Sequence, residues 1–328
     1  MTKRLAEVAK KAGVSEATVS RVLNGRSGVS EATRASVLTA LDVLGYERPT
    51  KLRGERGRLV GLVLPELQNP IFPALAEVVT ASLAQRGFTP LLAARTIGGV
   101  PERDYIEMLL DHQVSGVVFA GGSYALADAE HGHYRALTDR RMPVVMVNAG
   151  VADLGFPHIS TDDAVAVEQA YGHLRSLGHE RVGMVMGPED HVPSRRKLAA
   201  LEGKDFLVER TNFSMESARL AAAKLIERGV TGMICASDVL ALGSIRAARR
   251  LGLDVPSDIS VVGFDDSALM TCTDPPLTTV RQPIEMMGQA AVDLLVNQIE
   301  GGGVEPDELL FEPELVVRGS TAPAPQRG

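Results

Sequence analysis

From Leu59 onward, the sequence alternates between short, continuously apolar runs and longer amphipathic stretches. The runs LVGLVLP, LLAA, GVVFA and PVVMV form a first series that ends near Asn148, and RVGMVM, GMICA and ISVVGF belong to a second. Continuous apolar strands separated by helices are typical of parallel sheets covered on both faces. Two such series predict an α/β core of two doubly wound lobes, with ligands bound at the carboxyl ends of the strands.

The first 46 residues have a different pattern, which predicts three short helices. Gly13 ends the first helix, Ser15 can cap the second, and the third runs from about Glu31 to Leu44. A helix, a glycine-containing turn and a second helix form a helix-turn-helix unit, which places its second helix in the major groove of DNA. The segment ERPTKLRGERGR that follows is polar, basic and interrupted by Pro and Gly, as linkers are.

We therefore expect a small all-α head, a linker and a large two-lobed core. The expected boundaries, in chain order, are a head over 1–46, a linker or hinge over 47–58, a core over 59–324, a first lobe at about 59–158 and 283–312, and a second lobe at about 159–282 and 313–322.

Charge is distributed unevenly between the head and the core. The chain has a net charge of −7, but residues 1–58 carry 12 Lys and Arg against 6 Asp and Glu. The remaining residues carry 22 against 35. A basic end on an acidic body favours a module that meets a polyanion, the alternative being a basic tail without a function.

The segment GVSEATVSRVLNG supplies the side chains that a DNA-reading helix needs. The small hydroxyls of Ser15, Thr18 and Ser20 can donate to phosphate oxygens while the helix approaches closely. Glu16 can accept from a cytosine amino group, Ala17 can touch a thymine methyl, and Arg21 can bind guanine through two hydrogen bonds. The alternative is a solvated helix face, which the basic excess and the adjoining linker disfavour.

The segment LAEVAKKAGVSEATVSRVLNGRSGVSEATRASVLTALDVLGY resembles the DNA-binding domain of the lactose-repressor (LacI/GalR) family of bacterial transcription factors. The core resembles the same family in SGVVF, GHERVGMVMGP, ASDVLALGSIRAARRLGLDVPSDISVVGFDDS and PPLTTVRQP. This resemblance implies a homodimer on a pseudo-palindromic operator, with Asn24 among the DNA contacts. It also implies a Leu wedged into the minor groove, here Leu52 in a hinge a few residues shorter than usual, unless this segment is a plain tether.

The resemblance also implies a sugar or nucleobase effector between the lobes, whose binding changes operator affinity. The positions that match the family's effector contacts are Asn69, Phe72, Asn148, Phe213 and Asp265. Gln282, on the strand that crosses back between the lobes, is expected to support the effector through other residues. By spacing, Lys197 takes the place of the family's Arg, and we expect the contact from the cluster of Arg195, Arg196 and Lys197. Asp238 is equally well a ligand contact or an N-cap. The segment 198–212 is several residues shorter than in the family.

Three stretches, TKRLAEVAKKAGVSEATVS, RPTKLRGERGRLVGLVLPELQNPIFPAL and HVPSRRKLAAL, resemble the branch of the family that represses maltose and α-glucan utilisation genes. This implies maltose or a maltodextrin as the effector. Another sugar or a nucleobase is the alternative within the family, and a solute-binding receptor of the same core fold is a second one. A receptor would need a secretion signal and no basic head.

Other classes of protein find little support. No run of eighteen apolar residues is present, and the start MTKRLAEVAKKAG lacks the apolar stretch of a secretory signal. The two cysteines show no pairing pattern, which fits a reducing cytoplasm. The family resemblance implies the cytoplasm of a bacterium, with action at the nucleoid. The segment VFAGGSY lacks the spacing and the Lys of a P-loop, and G-x-S-x-G is absent. His131 and His133 lack further ligands at metal spacing. We expect neither an enzyme nor a cofactor or metal.

Overall fold

The structure is a computed structural model, and it describes residues 2–23, 28–44, 58–95, 98–303, 305 and 307–326. Asn24 and Leu52, and with them the linker over 47–57, lie outside these residues. The chain divides into two compact units, Met1–Arg58 and Leu59–Gly328.

The first unit contains the helices α1 (Thr2–Ala12), α2 (Glu16–Leu23) and α3 (Glu31–Val43). Its core is formed by Val8, Val19, Val22, Val37 and Leu41 with their neighbours. The six residues GVSEAT precede or open both α2 and α3, and each copy behaves in the same way.

In both copies of GVSEAT the glycine turns the chain and the serine caps the helix. Gly13 and Gly28 have φ of 68° and 94°, which glycine adopts without strain. The Oγ of Ser15 accepts from the backbone N–H of Thr18 at 3.1 Å, and the Oγ of Ser30 accepts from that of Thr33 at 3.2 Å. Each cap satisfies a backbone donor that the first helical turn leaves unpaired.

The second unit alternates strands and helices along most of its length. Its elements in chain order are β1 (Arg58–Leu64), α4 (Ile71–Gln85), β2 (Phe88–Ala94), α5 (Glu102–Asp111), β3 (Gly116–Phe119), α6 (Arg135–Asp139), β4 (Val144–Val147), β5 (His158–Thr161), α7 (Asp163–Ser176), β6 (Val182–Met186), α8 (Val192–Ala200), β7 (Leu207–Arg210), α9 (Met215–Glu227), β8 (Gly232–Cys235), α10 (Asp238–Arg250), β9 (Ser260–Asp265), β10 (Thr278–Arg281), α11 (Ile284–Ile299), β11 (Glu308–Phe311) and β12 (Glu314–Val316).

These strands form two six-stranded sheets, one in each lobe. The first has the order β11-β5-β4-β3-β1-β2 and the second β12-β10-β9-β8-β6-β7. The pairs that join β11, β5, β4, β3 and β1 are parallel, and so are those that join β10, β9, β8, β6 and β7. The two doubly wound parallel lobes expected from the apolar runs are thereby confirmed, with β12 as an antiparallel edge strand on β10.

The chain crosses between the lobes after β5, after β10 and after β11. The first crossing follows Thr161 rather than residue 158, because His158–Thr161 pairs with both β4 and β11 in the first sheet. The shortened stretch after Lys197 folds as the remainder of α8 and the strand β7. Among the described residues, no helix is both long enough and apolar enough to span a membrane.

A fully buried histidine joins the chain's last described segment to the second lobe. The Nδ1 of His179 lies 3.0 Å from the Oγ1 of Thr231, and its Nε2 lies 3.0 Å from both the Oγ of Ser260 and the carbonyl oxygen of Ala322. Burial lowers the pKa of His179, which favours the neutral form of the ring. This cluster stabilises the lobe at the end of the strands away from their carboxyl termini.

Candidate functional sites

The helix α2 presents the side chains proposed to read DNA on the surface of the head. Ser15, Glu16, Ala17 and Arg21 are exposed, whereas Val19 and Val22 on the opposite face are fully buried. This division follows from the spacing of the valines, three residues apart, which turns one helix face inward. The exposed set forms one face that a groove of DNA can reach.

The hydroxyls of that face already take part in the helix cap. The Oγ of Ser15 caps α2 and lies 2.9 Å from the Oγ1 of Thr18. A hydroxyl that accepts through a lone pair still carries a proton, which can be donated to a phosphate oxygen. Thr18 and Ser20 are half-buried.

A cavity of about 270 Å³ lies between the two lobes of the core. This volume is close to the lower limit of small-molecule sites, which hold about 300 to 1,000 Å³. Seven of the side chains expected at the effector line its wall, namely Asn69, Phe72, Asn148, Lys197, Phe213, Asp265 and Gln282. We call this cavity the cleft.

Asp265 is the buried carboxylate of the cleft, and it stands on an unusual turn. It ends β9 with φ of 127°, and Asp266 follows with φ of 58°, conformations that few residues other than glycine adopt. Asn69 of the first lobe donates its Nδ2–H to Oδ2 at 3.0 Å, and Gln282 donates its Nε2–H to Oδ1 at 2.7 Å. Burial raises the pKa of Asp265 to about 7, although both amides and the charge of Lys197 act in the opposite direction.

The amide donors are themselves held in one orientation. The Oδ1 of Asn69 accepts from the backbone N–H of Ile71 at 3.3 Å, and the Oε1 of Gln282 accepts from the hydroxyl of Thr161 at 2.8 Å. Because each amide oxygen is occupied, each amide nitrogen faces Asp265. The carboxylate is therefore preorganised to accept, and a ligand hydroxyl is a donor that suits it.

Lys197 lies in the cleft wall as part of a buried ion pair. Its ammonium pairs with the carboxylate of Asp163, and it sits 3.9 Å from the centre of the Phe264 ring. Burial raises the pKa of Asp163, and the charge of Lys197 opposes that shift. The other cation of the described wall, Arg95, pairs with Glu102 at 3.3 Å. Since each of these cations has a carboxylate partner, the cleft favours a neutral ligand over an anion.

Two aromatic rings from the second lobe meet at the cleft. The rings of Phe213 and His191 lie edge to face with centres 4.8 Å apart. The Nδ1 of His191 accepts from the backbone N–H of Ser194 at 3.3 Å, and burial lowers its pKa to about 3. A Cβ on Gly187 would lie 2.6 Å from the Phe213 ring, so glycine lets the ring pack against the backbone. Phe213 thereby contributes an apolar ring to the lining of the cleft.

Three residues of the expected effector set, Arg195, Arg196 and Asp238, do not line the cleft. Arg195 is exposed, and Arg196 forms an ion pair with Glu308 of the first lobe. They leave the cleft because consecutive helical residues point about 100° apart, so only Lys197 of this run faces inward.

Asp238 also lies outside the cleft. It is fully buried and accepts from the backbone N–H of Ser267 at 3.0 Å and from the hydroxyl of Thr279. It is not the N-cap of α10 either, because Ser237 holds that position and accepts from Leu240 at 3.2 Å. The residue that lines the cleft here is Ser237.

Several cleft residues were absent from the expected set. Glu66, Arg95, Asp163 and Ser237 line the cleft, each within two residues of the end of a strand. The rule that ligands bind at the carboxyl ends of parallel strands could have found them without any family pattern. His191, in contrast, lies in a longer connection and carries no such signal.

One cluster near the cleft superficially resembles a hydrolase triad. The Oγ of Ser123 lies 3.2 Å from the Nε2 of His133, and the same Nε2 lies 3.7 Å from the Oε1 of Glu102. A triad needs the nucleophile and the orienting carboxylate on opposite ring nitrogens of the histidine, which is the base. Because both partners meet one nitrogen, this cluster cannot relay a proton in that way. The residues described contain no group of three or more side chains able to hold a metal ion.

Comparison with known proteins gives matches to both units. A family model described as bacterial regulatory proteins, lacI family, matches residues 4–49, and one described as a periplasmic binding protein-like domain matches residues 171–321. The HTH-type transcriptional regulator MalR of Streptomyces coelicolor is 51% identical, over 100% of this chain and 99% of that protein.

Two solved structures share the fold over nearly the full length. The transcriptional regulator CelR in complex with cellobiose has a TM-score of 0.72 and 32% identity, covering 96% of this chain and 99% of that one. The lac repressor dimer bound to operator and the anti-inducer ONPF has a TM-score of 0.73 and 29% identity, covering 96% and 98%.

Proposed function

The chain belongs to the lacI family of bacterial regulatory proteins, and from this premise we propose that it is a homodimeric repressor whose operator affinity is controlled by a neutral sugar, maltose or a maltodextrin, in the cleft. The proposed division is a DNA-binding head over 1–46, a hinge over 47–58 and an effector core over 59–324. The single observation that carries the effector assignment is Asp265, a buried carboxylate presented to the cleft by two fixed amides.

The proposed operator contacts are the exposed groups of α2. Arg21 binds a guanine, Glu16 and Ala17 meet neighbouring bases, and the hydroxyls of Ser15 and Thr18 bind phosphates. Ser20 is proposed as a further phosphate contact, with Asn24 and a minor-groove wedge at Leu52 completing the set. The lac repressor neighbour is a dimer bound to operator, which supports a homodimer on a pseudo-palindromic site.

A neutral polyol suits the chemistry of the cleft. Sugar rings have apolar faces that stack on aromatic walls such as Phe213, and hydroxyls that donate to a carboxylate such as Asp265. An anion in the cleft would lie near the carboxyl groups of Asp163, Asp265 and Glu66. Lys197 offers an ammonium where the family has a guanidinium. An ammonium lacks the planar pair of donors with which a guanidinium can bind two adjacent hydroxyls.

The choice of maltose rests on relatedness. The three stretches that resemble the maltose and α-glucan branch, and the 51% identity to a regulator named MalR, support it. The related CelR was solved with cellobiose, another glucose disaccharide, which supports a ligand of that size. A member that answers to a different sugar or to a nucleobase is the alternative.

The proposed mechanism is thermodynamic linkage between the two sites. Sugar stabilises one arrangement of the lobes, and that arrangement binds the operator less tightly. Operator must then weaken sugar binding by the same factor. No catalytic step is part of this function, and the proposed location is the bacterial cytoplasm, with the nucleoid as the site of action.

A thermal-shift panel on the full chain tests the effector assignment. Maltose, maltotriose, glucose, cellobiose, adenine and guanine are each added to wild type, to Asp265→Ala and to Arg195→Ala. A ligand at about 100 times its Kd stabilises the native state by about 2.7 kcal/mol, so wild type and Arg195→Ala melt higher with maltose, and Asp265→Ala does not. A nucleobase that raises the melting temperature while sugars fail would contradict the sugar assignment.

A further inference from the structure

The two lobes of the core contact each other through several pairs of residues. The backbone N–H of Ala127, in the first lobe, donates to the carbonyl oxygen of Asp190, in the second, at 2.8 Å. Leu126 and His191 form an isolated antiparallel bridge beside it. These contacts depend on the spacing of the lobes, so they report whether the lobes stay together.

Arg196 makes a further contact between the lobes, and this one carries charge. Its Nη1 lies 2.6 Å from the Oε1 of Glu308 and its Nη2 lies 3.1 Å from Oε2. Each guanidinium NH₂ group therefore donates to one of the two carboxylate oxygens. The side chains are only 33% and 24% exposed. Paired hydrogen bonds between charged groups are stronger and more directional than a single contact on the surface.

The carboxylate of this pair is ionised over the whole physiological range. Burial alone would raise the pKa of Glu308, but the neighbouring His158 and Ser160 and the contact with Arg196 lower it to about 2. His158 lies beside Glu308 in the same sheet, with Nε2 3.6 Å from Oε2. The first lobe therefore presents a fixed negative charge to α8 of the second lobe.

Position along α8 connects this pair to the cleft. Arg196 and Lys197 are consecutive, and Lys197 pairs with Asp163 inside the cleft wall. Of these two neighbours on α8, Lys197 therefore contacts the cleft wall and Arg196 contacts the opposite lobe. A ligand that shifts α8 acts on both pairs, because backbone displacement of one residue carries its neighbour.

From this arrangement we propose that Arg196 and Glu308 form an interlobe latch that sets the spacing of the lobes and couples it to occupancy of the cleft. The latch stabilises the arrangement in which both guanidinium arms reach Glu308. Loss of the latch shifts the equilibrium toward more widely spaced lobes. The role differs from that of an effector contact, because Arg196 lies outside the cleft.

Hydrogen–deuterium exchange of the full chain tests the latch without any ligand. Mass spectrometry follows peptides that span Ala127, which reports the contact with Asp190, and separate peptides within α8. The variants are Arg196→Ala, Glu308→Ala and the exchanged pair Arg196→Glu with Glu308→Arg, and Arg195→Ala is the matched control. Arg195 is the exposed neighbour on the same helix.

We expect both single variants to speed exchange at Ala127 by roughly three- to tenfold, in line with the strength of a partly buried ion pair. The exchanged pair restores protection, and Arg195→Ala leaves it unchanged. Faster exchange confined to α8, or spread evenly over the core, would show a merely structural role and overturn the latch. Wild-type protection at Ala127 in Arg196→Ala, or failure of the exchanged pair to restore it, would do the same.

Discussion

Replacing Asp265 by Asn should stabilise the core at alkaline pH while it removes the effector site. Burial raises the pKa of Asp265 from its ordinary value of 3.8 to about 7. The folded protein therefore holds a proton that the unfolded chain has released, and stability falls as pH rises between these two values. At 1.36 kcal/mol for each tenfold change in proton affinity, the loss is about 4 kcal/mol by pH 8, as an order of magnitude.

The Asn variant escapes this loss because it carries no ionisable group. The NH₂ group that Asp265→Asn introduces would face the NH₂ group of either Asn69 or Gln282, and both of these amides are held in place. Because two donors cannot pair, the Asp265→Asn variant lacks one hydrogen bond that wild type makes. Such a loss costs about 1 to 3 kcal/mol. The net expectation is a variant more stable than wild type by about 1 to 3 kcal/mol at pH 8, with the advantage shrinking or reversing near pH 4.

The assay is thermal melting of the full chain followed by circular dichroism at several pH values, because the sequence contains no Trp for fluorescence. Asp205→Asn, which alters an exposed carboxyl of the same lobe, is the control and should change stability by less than about 0.5 kcal/mol. An Asp265→Asn variant that melts below wild type at pH 8, with an unchanged dependence on pH, would refute the argument that burial of this charge is destabilising.

Three further predictions concern the head, the buried histidine and the aromatic wall. Arg21→Ala should weaken operator binding by roughly 5- to 150-fold, the value of one paired contact to guanine, while sugar affinity measured by calorimetry stays unchanged; loss of both would contradict separate sites. His179→Ala should lower the stability of the core by about 3 kcal/mol, because several buried polar groups lose their partner. Burial also lowers the pKa of His179, so wild type loses stability as pH falls below 6.5, and melting curves of the variant should lack that part of the acid dependence. Gly187→Ala should displace the Phe213 ring, weaken maltose binding in calorimetry by about tenfold and cost about 1 to 3 kcal/mol of stability; unchanged affinity would remove Phe213 from the site.

Local signals in the sequence predicted the fold well. The apolar runs alone indicated the two parallel sheets, because strands covered by helices on both faces consist mainly of apolar residues. The three helices of the head followed from apolar spacing and from Gly13 and Ser15. These features depend on residues close to each other along the chain, which is where periodicity and capping act.

The cleft was less predictable, since its chemistry depends on contacts between distant residues. Arg196 and Lys197 are adjacent in sequence, yet one pairs with Glu308 in the other lobe and the other with Asp163. Only the direction of each side chain on α8 separates these roles. Asp238 and Ser237 likewise differ by one position, and only the assembled sheet decides which of the two faces the cleft.

The central claim is that a sugar in the cleft changes the affinity of the head for its operator. The measurement is fluorescence anisotropy of a labelled operator, selected from a random DNA pool by the full chain, titrated with wild type or Asp265→Ala in the presence and absence of maltose at constant salt. We predict that maltose weakens operator binding at least tenfold for wild type, and leaves the Asp265→Ala variant, which binds the operator normally, unaffected. Equal operator affinity with and without maltose in wild type, or the same maltose effect in the variant, would contradict the claim.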